Sequence, residues 1–168
     1  MKEQQKKYEL TGEFIEHWSG KKLYRIRSLV SFGVVVAGQL GGFVESEKNL
    51  DQSLSGDARV YGDAWVYGNA WVSGDAWVYG DAEVYGDARV RSYAVISERK
   101  MIFGATNVGS ENGKLTVFNG KDGLIVTRGC FTGTVDEFLA KSAEVHDDKT
   151  KNEYKLLIEV AKSRILGG

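Results

Sequence analysis

Two histidines, one cysteine, four tryptophans and a scatter of arginines carry whatever chemistry this 168-residue chain performs. His17 and His146 are far apart, and with the single Cys130 they do not give zinc-ligand spacing. No Ser-His-Asp set can be assembled. Cys130, in "RGCFTG", has no neighbouring base and reads as a small buried hydrophobe rather than a nucleophile. His17, beside Trp18, reads as a hairpin surface residue, and His146 in "VHDDK" as a helix end, where an imidazolium suits the dipole. Asp57, Asp63, Asp75, Asp81 and Asp87 recur regularly but sit at turns, without the nonapeptide calcium pattern. "GATNVGS" and "GSENGKL" lack the Gly-Lys-Ser/Thr of a phosphate loop. What remains is binding. Indole and phenol rings offer flat stacking surfaces, and guanidinium forks suit phosphate. The candidates are Trp65, Tyr67, Trp71, Trp77, Tyr79, Arg59, Arg89 and Arg91, with Arg25 and Arg27 from the N-terminal side and Arg128 from the C-terminal side. Together they fit a small anionic aromatic ligand such as a nucleotide. The alternative is that these arginines only pair with Glu83, the turn aspartates or water.

Most of these residues lie in "SGDARVYGDAWVYGNAWVSGDAWVYGDAEVYGDARV", Ser55 to Val90, a six-residue word written six times. Ala and Val are two apart in each word, so both point to one side of a short strand. Gly-Asp or Gly-Asn follows as the turn, where Gly takes a left-handed backbone and the Asx side chain bonds its own main chain. The unit is therefore a strand of about four residues and a two-residue corner. A hairpin meander would have strands too short for a stable antiparallel sheet. A solenoid, in which each strand pairs with its counterpart one coil later, suits a short repeat with small inward Ala and branched inward Val.

The words resemble the hexapeptide repeat of left-handed parallel β-helix proteins. The aliphatic position is Val60, Val66, Val72, Val78, Val84 and Val90, and the small position is Ala64, Ala70, Ala76, Ala82 and Ala88. The match fades through "RSYAVI". The resemblance implies three words per triangular coil, and hence residues 18 apart in register. Arg59 then stacks with Trp77, Tyr61 with Tyr79, Trp65 with Glu83, Tyr67 with Tyr85, and Trp71 with Arg89. It also implies a left-handed crossover and a homotrimer in which at least one aromatic face is buried between chains. Members of that fold are best known as acyltransferases using coenzyme A and a histidine base. Here both histidines lie outside the repeat and no loop interrupts it.

The flanks add two further resemblances. "LYRIR" and "GQLGGFVESEKNL", within Leu23 to Val90, are similar to the lead-in of hexapeptide-repeat proteins encoded by phages and prophages. "KLYRIRSL" reads as a strand paired with "YELTGEFIEHW" across "SGKK", and "GQLGGFVESEKNL" as an irregular first coil. After the repeat, "KLTVFNGKDGLIVTRG" reads as two strands. Thr134 and Glu137 form a capping-box pattern that opens a helix with Val135, Phe138, Leu139, Ser142 and Val145 on one face. "HDDKT" links to a second helix with a stripe of Tyr154, Leu157, Ile158, Ala161 and Ile165. This segment resembles a C-terminal module found beside such repeats in prophage proteins of Gram-positive bacteria, and its simplest role is to cap the solenoid.

The expectation is thus a mainly β chain: an N-terminal hairpin region (1–38), a left-handed β-helix of about three coils (39–98) and a C-terminal α+β cap of two strands and two helices (99–168). A net charge of −1 gives no general pull toward nucleic acid or anionic membrane, and the longest apolar stretch, Leu29 to Ala37, is too short to span a bilayer. One cysteine and a polar start, Met1 to Lys7, fit a cytoplasmic protein of the infected or lysogenic host. The phage resemblance implies a noncatalytic, cofactor-free sponge that sequesters a nucleotide-like signal of host defence in clefts between subunits. Rival readings are a hexapeptide-class acyltransferase and a protein-binding inhibitor or structural module.

Overall fold

The structure, a computed structural model, describes residues 6–54, 56–109, 111 and 113–167. Most of the polar N-terminal start, Ser55 at the head of the repeat, and Ser110 and Asn112 of the glycine-rich segments lie outside the described residues.

The chain opens with β1 (Tyr8–Glu16) and β2 (Lys22–Ser28), antiparallel across the expected turn. β3 (Leu40–Val44) extends β2 antiparallel and then pairs parallel with the repeat. The repeat supplies β4 (Arg59–Val60), β5 (Trp65–Val66), β6 (Trp71–Val72), β7 (Trp77–Val78), β8 (Glu83–Val84), β9 (Arg89–Val90) and β10 (Val95–Ile96). Pairing is parallel and joins residues 18 apart: Arg59 with Trp77, Trp65 with Glu83, Trp71 with Arg89 and Trp77 with Val95. The register expected at this spacing is the register found, and hairpins between successive words are excluded.

The regular strands are two residues long, shorter than the four expected. The corner glycines from Gly62 to Gly86 have a positive φ, as at Gly62 (65°) and Gly68 (68°). The backbone N–H of Ala64 donates to Tyr61 O at 3.4 Å, and Ala70 repeats this with Tyr67. Each turn therefore draws in the Tyr before the glycine and the Ala after the Asp, leaving two residues for the ladder. Inside, every Ala and Val of the repeat is buried, from Ala58 to Val90, and Ala94 and Ile96 continue the column. Each buried Val contributes about 1.5–3 kcal/mol of apolar transfer.

The first layer is irregular, as its sequence implied. Phe43 pairs with Trp65 and Leu50 with Val72, both 22 apart rather than 18. A single 3-10 turn at Glu47–Asn49 replaces a strand. Asn49 makes good the missing ladder: its buried amide donates to Ala70 O (2.8 Å) and Gly68 O (3.2 Å), while its carbonyl accepts from Glu45 and Ser46 N–H. Lys7, 1% exposed, donates to Gly56 O and Ala58 O and ties the start of β1 to the stack; burial holds its pKa below the usual ammonium value.

Above the stack, β11 (Ile102–Val108), β12 (Gly113–Gly120), β13 (Gly123–Arg128) and β14 (Phe131–Thr134) form one antiparallel sheet. The expected module had two strands. The outer pair was hidden because Gly104 and Gly133 interrupt short, weakly alternating segments. Along β12 the side chains divide by parity: Phe118 joins the stack core, whereas Leu115 and Val117 join a second core under α1 (Val135–Val145) and α2 (Asp148–Leu166). The capping box is present: Thr134 Oγ1 accepts from Glu137 N–H at 3.1 Å and the Glu137 carboxylate accepts from Thr134 N–H at 3.0 Å. His146 and Asp147 alone separate the helices, and Asp147 caps the second by accepting from Thr150 N–H at 2.8 Å. That bond draws the Asp147 pKa below the ordinary carboxylate value.

Candidate ligand-binding cleft

The outward positions of the repeat build three unlike faces. On the face of β4, β7 and β10, Tyr61 stacks on Tyr79 (4.9 Å between ring centroids, 9° between planes). The Arg59 guanidinium lies 4.2 Å over the Trp77 ring. Arg59 is not presented to solvent, however. It is 7% exposed, Gly33 of the loop between β2 and β3 lies against it, and its Nε has no hydrogen-bond partner among the described residues. Trp77 keeps 37% of its surface exposed.

On the face of β3, β5 and β8, Tyr67 stacks on Tyr85 (5.3 Å, 10°) and donates to Glu83 at 3.0 Å. Burial and this carboxylate together push the Tyr67 phenol well above its usual pKa. Arg99 pairs with the other oxygen of Glu83 at 2.7 Å. His17 overturns its expected place on the hairpin surface. It is 4% exposed, 4.6 Å from the Tyr67 ring and 5.8 Å from Trp65, because the whole hairpin is sheeted onto this face. Its Nδ1 accepts from Ser19 N–H (3.2 Å), and its buried Nε2 has no hydrogen-bond partner among the described residues. Arg25 stacks on Phe43 (4.3 Å) and donates to Gly41 O, and Arg27 pairs with Glu9 on the hairpin.

The third face lacks tyrosine, having Ser73 and Arg91 in its place, and leaves Trp71 36% exposed with the Arg89 guanidinium 5.8 Å from its ring. Arg91 bends up to donate to Gly129 O (3.0 Å) and Phe131 O (3.1 Å), which pins the turn between β13 and β14. Burial, then the like charge of Arg89, lowers its pKa. Cys130 sits at the tip of this turn and is exposed, contrary to expectation, since its two neighbours are held by their carbonyls while its own side chain faces out.

Where this face meets the C-terminal sheet, the chain forms a cleft of about 400 Å³ lined by Arg89, Asp87, Lys114, Thr116, Arg128 and Gly129. Of the sequence-predicted residues, the structure brings Arg89 and Arg128 into this cleft, with Arg91 as a brace and Trp71 beside Arg89 but outside the lining. It leaves Trp77 and Tyr79 on the first face, Trp65 and Tyr67 on the second, and Arg25 and Arg27 on the hairpin. Arg128 is held by Tyr154 Oη at 2.9 Å, and its other partner, Glu111, is largely exposed at 3.7 Å. A second cleft, of about 440 Å³, adjoins it and shares Lys114 and Thr116; Tyr85, Arg99 and Arg164 also line it. Lys114, Arg99 and Arg164 were missed in the sequence. The one signal for Lys114 is parity: in "KLTVF" it shares a strand face with Phe118, the residue that meets the stack.

Among the described residues, no three His, Cys, Asp or Glu side chains converge as a metal site requires, and no helix is long and apolar enough to cross a membrane. Stacked two-residue parallel strands around an Ala/Val column, at an 18-residue spacing, define a β-solenoid repeat protein. Consistent with that class, the family model described as the YdcK beta solenoid repeat matches residues 54–68 and 64–80, inside the stack. No curated protein and no solved structure matches the chain.

Proposed function

We propose that this chain is a noncatalytic binder that sequesters a small anionic aromatic ligand of nucleotide type. In this reading the stack is a left-handed hexapeptide helix and the working form is a homotrimer. Its setting is the cytoplasm of a bacterium carrying the phage or prophage that encodes it, as a counter-defence sponge. The observation that carries the binding reading is Arg89: it lies against the Trp71 ring, has no carboxylate partner among the described residues, and lines a cleft with Arg128. A ring to stack on and two guanidinium forks suit a base and a phosphate. Trp71 and Trp77, each exposed by more than a third, with Tyr85 and Tyr93 more open still, supply surface for packing between chains. Calorimetry with cyclic and ADP-ribose-type nucleotides tests the binding. Heat that disappears in Arg89→Ala supports it, and no heat from any nucleotide rejects it. Native mass spectrometry tests the trimer.

Acyl transfer has one observation in its favour, since His17 reaches the repeat from the hairpin and keeps an unpartnered Nε2 beside Tyr67. That reading requires coenzyme A binding and loss of turnover in His17→Ala. The sponge reading requires neither.

A further inference from the structure

The two adjoining clefts are unlike in their rings but alike in their charge. One is lined by Arg89 and Arg128, and the Trp71 ring lies beside that lining, 5.8 Å from the Arg89 guanidinium. The other has Arg99 and Arg164, with Tyr85, which is 57% exposed. Lys114 lines both, at the junction. Five cations therefore line the clefts with two carboxylates, Glu83 and Asp87, and a third, the exposed Glu111, lies 3.7 Å from Arg128, in a chain whose overall charge is −1. Glu83 is already engaged by Arg99 at 2.7 Å and by the Tyr67 hydroxyl at 3.0 Å. Asp87 accepts from the Asn69 amide at 3.3 Å. Arg89, Lys114 and Arg164 have no ion pair among the described residues. Lys114 Nζ is also drawn in over the backbone: a Cβ added at Gly104 would meet it at 2.7 Å. Like charges gathered in concave surface repel one another and focus a positive potential there, and an anion is what relieves it.

Resting on the binding reading above, we infer that the ligand carries two phosphate-type groups separated by a linker, one for each cleft, with Lys114 as the shared counter-charge. Arg89 and Arg128 take the first group and a flat ring lies on Trp71. Arg164 takes the second, and a further ring has Tyr85 to stack on. A ligand with one anionic group fills only one cleft. Joining two groups makes the second contact intramolecular, which raises affinity by roughly a hundredfold or more when the linker spans the sites.

The test is calorimetry on the full chain with two probes, adenosine monophosphate and the linear dinucleotide pApA, in which a ribose separates two phosphates. The expected result is that pApA binds about a hundredfold tighter than the mononucleotide. Arg164→Gln, at an exposed helix position, is expected to bring the affinity for pApA down to within a few-fold of that for the mononucleotide. Lys114→Gln is expected to weaken both. Circular dichroism confirms that each variant is folded. Equal affinity for the two probes, or an Arg164→Gln protein that keeps the full ratio, overturns the two-group inference and leaves the binding reading standing. Binding of neither probe overturns the two-group inference, and the binding reading falls with it only if the cyclic and ADP-ribose-type nucleotides also give no heat.

Discussion

In the stack, Val78 touches Val60 on one side and Ile96 on the other, each 18 residues away, and the layers beside it repeat the arrangement. In the C-terminal module, Phe138 meets Phe131 (5.5 Å) and Tyr154 (5.0 Å), contacts that occur once and follow no period. Both residues are buried. The stack divides its stabilisation among near-identical layers with nearest-neighbour coupling, whereas the module concentrates it in a few aromatic contacts. One side-chain deletion should therefore hurt the module more.

The sharpest way to break this comparison is to truncate both. Phe138→Ala is expected to cost about 3–5 kcal/mol, and Val78→Ala about 2 kcal/mol. Hydrogen exchange should show Phe138→Ala opening α1 and α2 while amides of the stack stay protected. Equal costs, or simultaneous loss of protection in both regions, would show that the two cores are one cooperative unit. The parity of β12, which feeds both cores through Leu115, Val117 and Phe118, is the structural route by which that could happen.

A second comparison lies within the stack, between two corners that look identical in sequence. Gly80 has φ 61°, and an added Cβ would sit 2.7 Å from Ser97 O; Gly86 has φ 68° and open space. Gly86→Ala pays only the left-handed backbone, about 1 kcal/mol. Gly80→Ala adds a clash with main chain that cannot move without disturbing the layer above, for a total of about 2–3 kcal/mol. Denaturant midpoints of the two variants measure the difference, and parity between them would mean that the upper layer gives way freely.

These contrasts also mark what could be read from the residues alone. Each six-residue word encodes its own strand and turn, so the Ala/Val column, the stacked Tyr pairs and the register were legible, as was the Thr134–Glu137 cap. What failed depended on contacts between distant segments. His17 is buried because β3 splices the hairpin onto the sheet of β5 and β8, and nothing near residue 17 announces that. Arg59 is covered by a loop whose sequence reads only as apolar. Cys130 is exposed because Arg91, 39 positions earlier, grips the carbonyls on either side of it. The cleft was half legible. Trp71 and Arg89 belong to the repeat, whereas Lys114 and Arg164 become its neighbours only when the module docks.

The smallest effect separates ornament from support. Tyr61 and Tyr79 stack on one face as Tyr67 and Tyr85 do on another, but only Tyr67 has a carboxylate, Glu83, on its hydroxyl. A double-mutant cycle on Tyr61 and Tyr79 is expected to return about 0.5–1 kcal/mol of coupling. The cycle on Tyr67 and Tyr85 is expected to return a similar coupling, since the Glu83 bond is lost with or without Tyr85 and cancels, but Tyr67→Ala alone should cost more than Tyr61→Ala because it strips Glu83 of its donor. Equal single-mutant costs would mean that the Tyr67 hydroxyl adds nothing beyond ring contact.

The bonds from Arg91 to Gly129 and Phe131, and from Thr127 Oγ1 to Arg89 O at 3.1 Å, tie the upper module to one particular side of a three-sided column. Duplicating eighteen residues would lengthen the column and bring the same side back beneath the module, preserving the cleft at a greater height. Duplicating six would rotate the module by a third of a turn and set it over tyrosines instead. A change in the length of this column therefore keeps the module over the same face only when it comes in whole storeys.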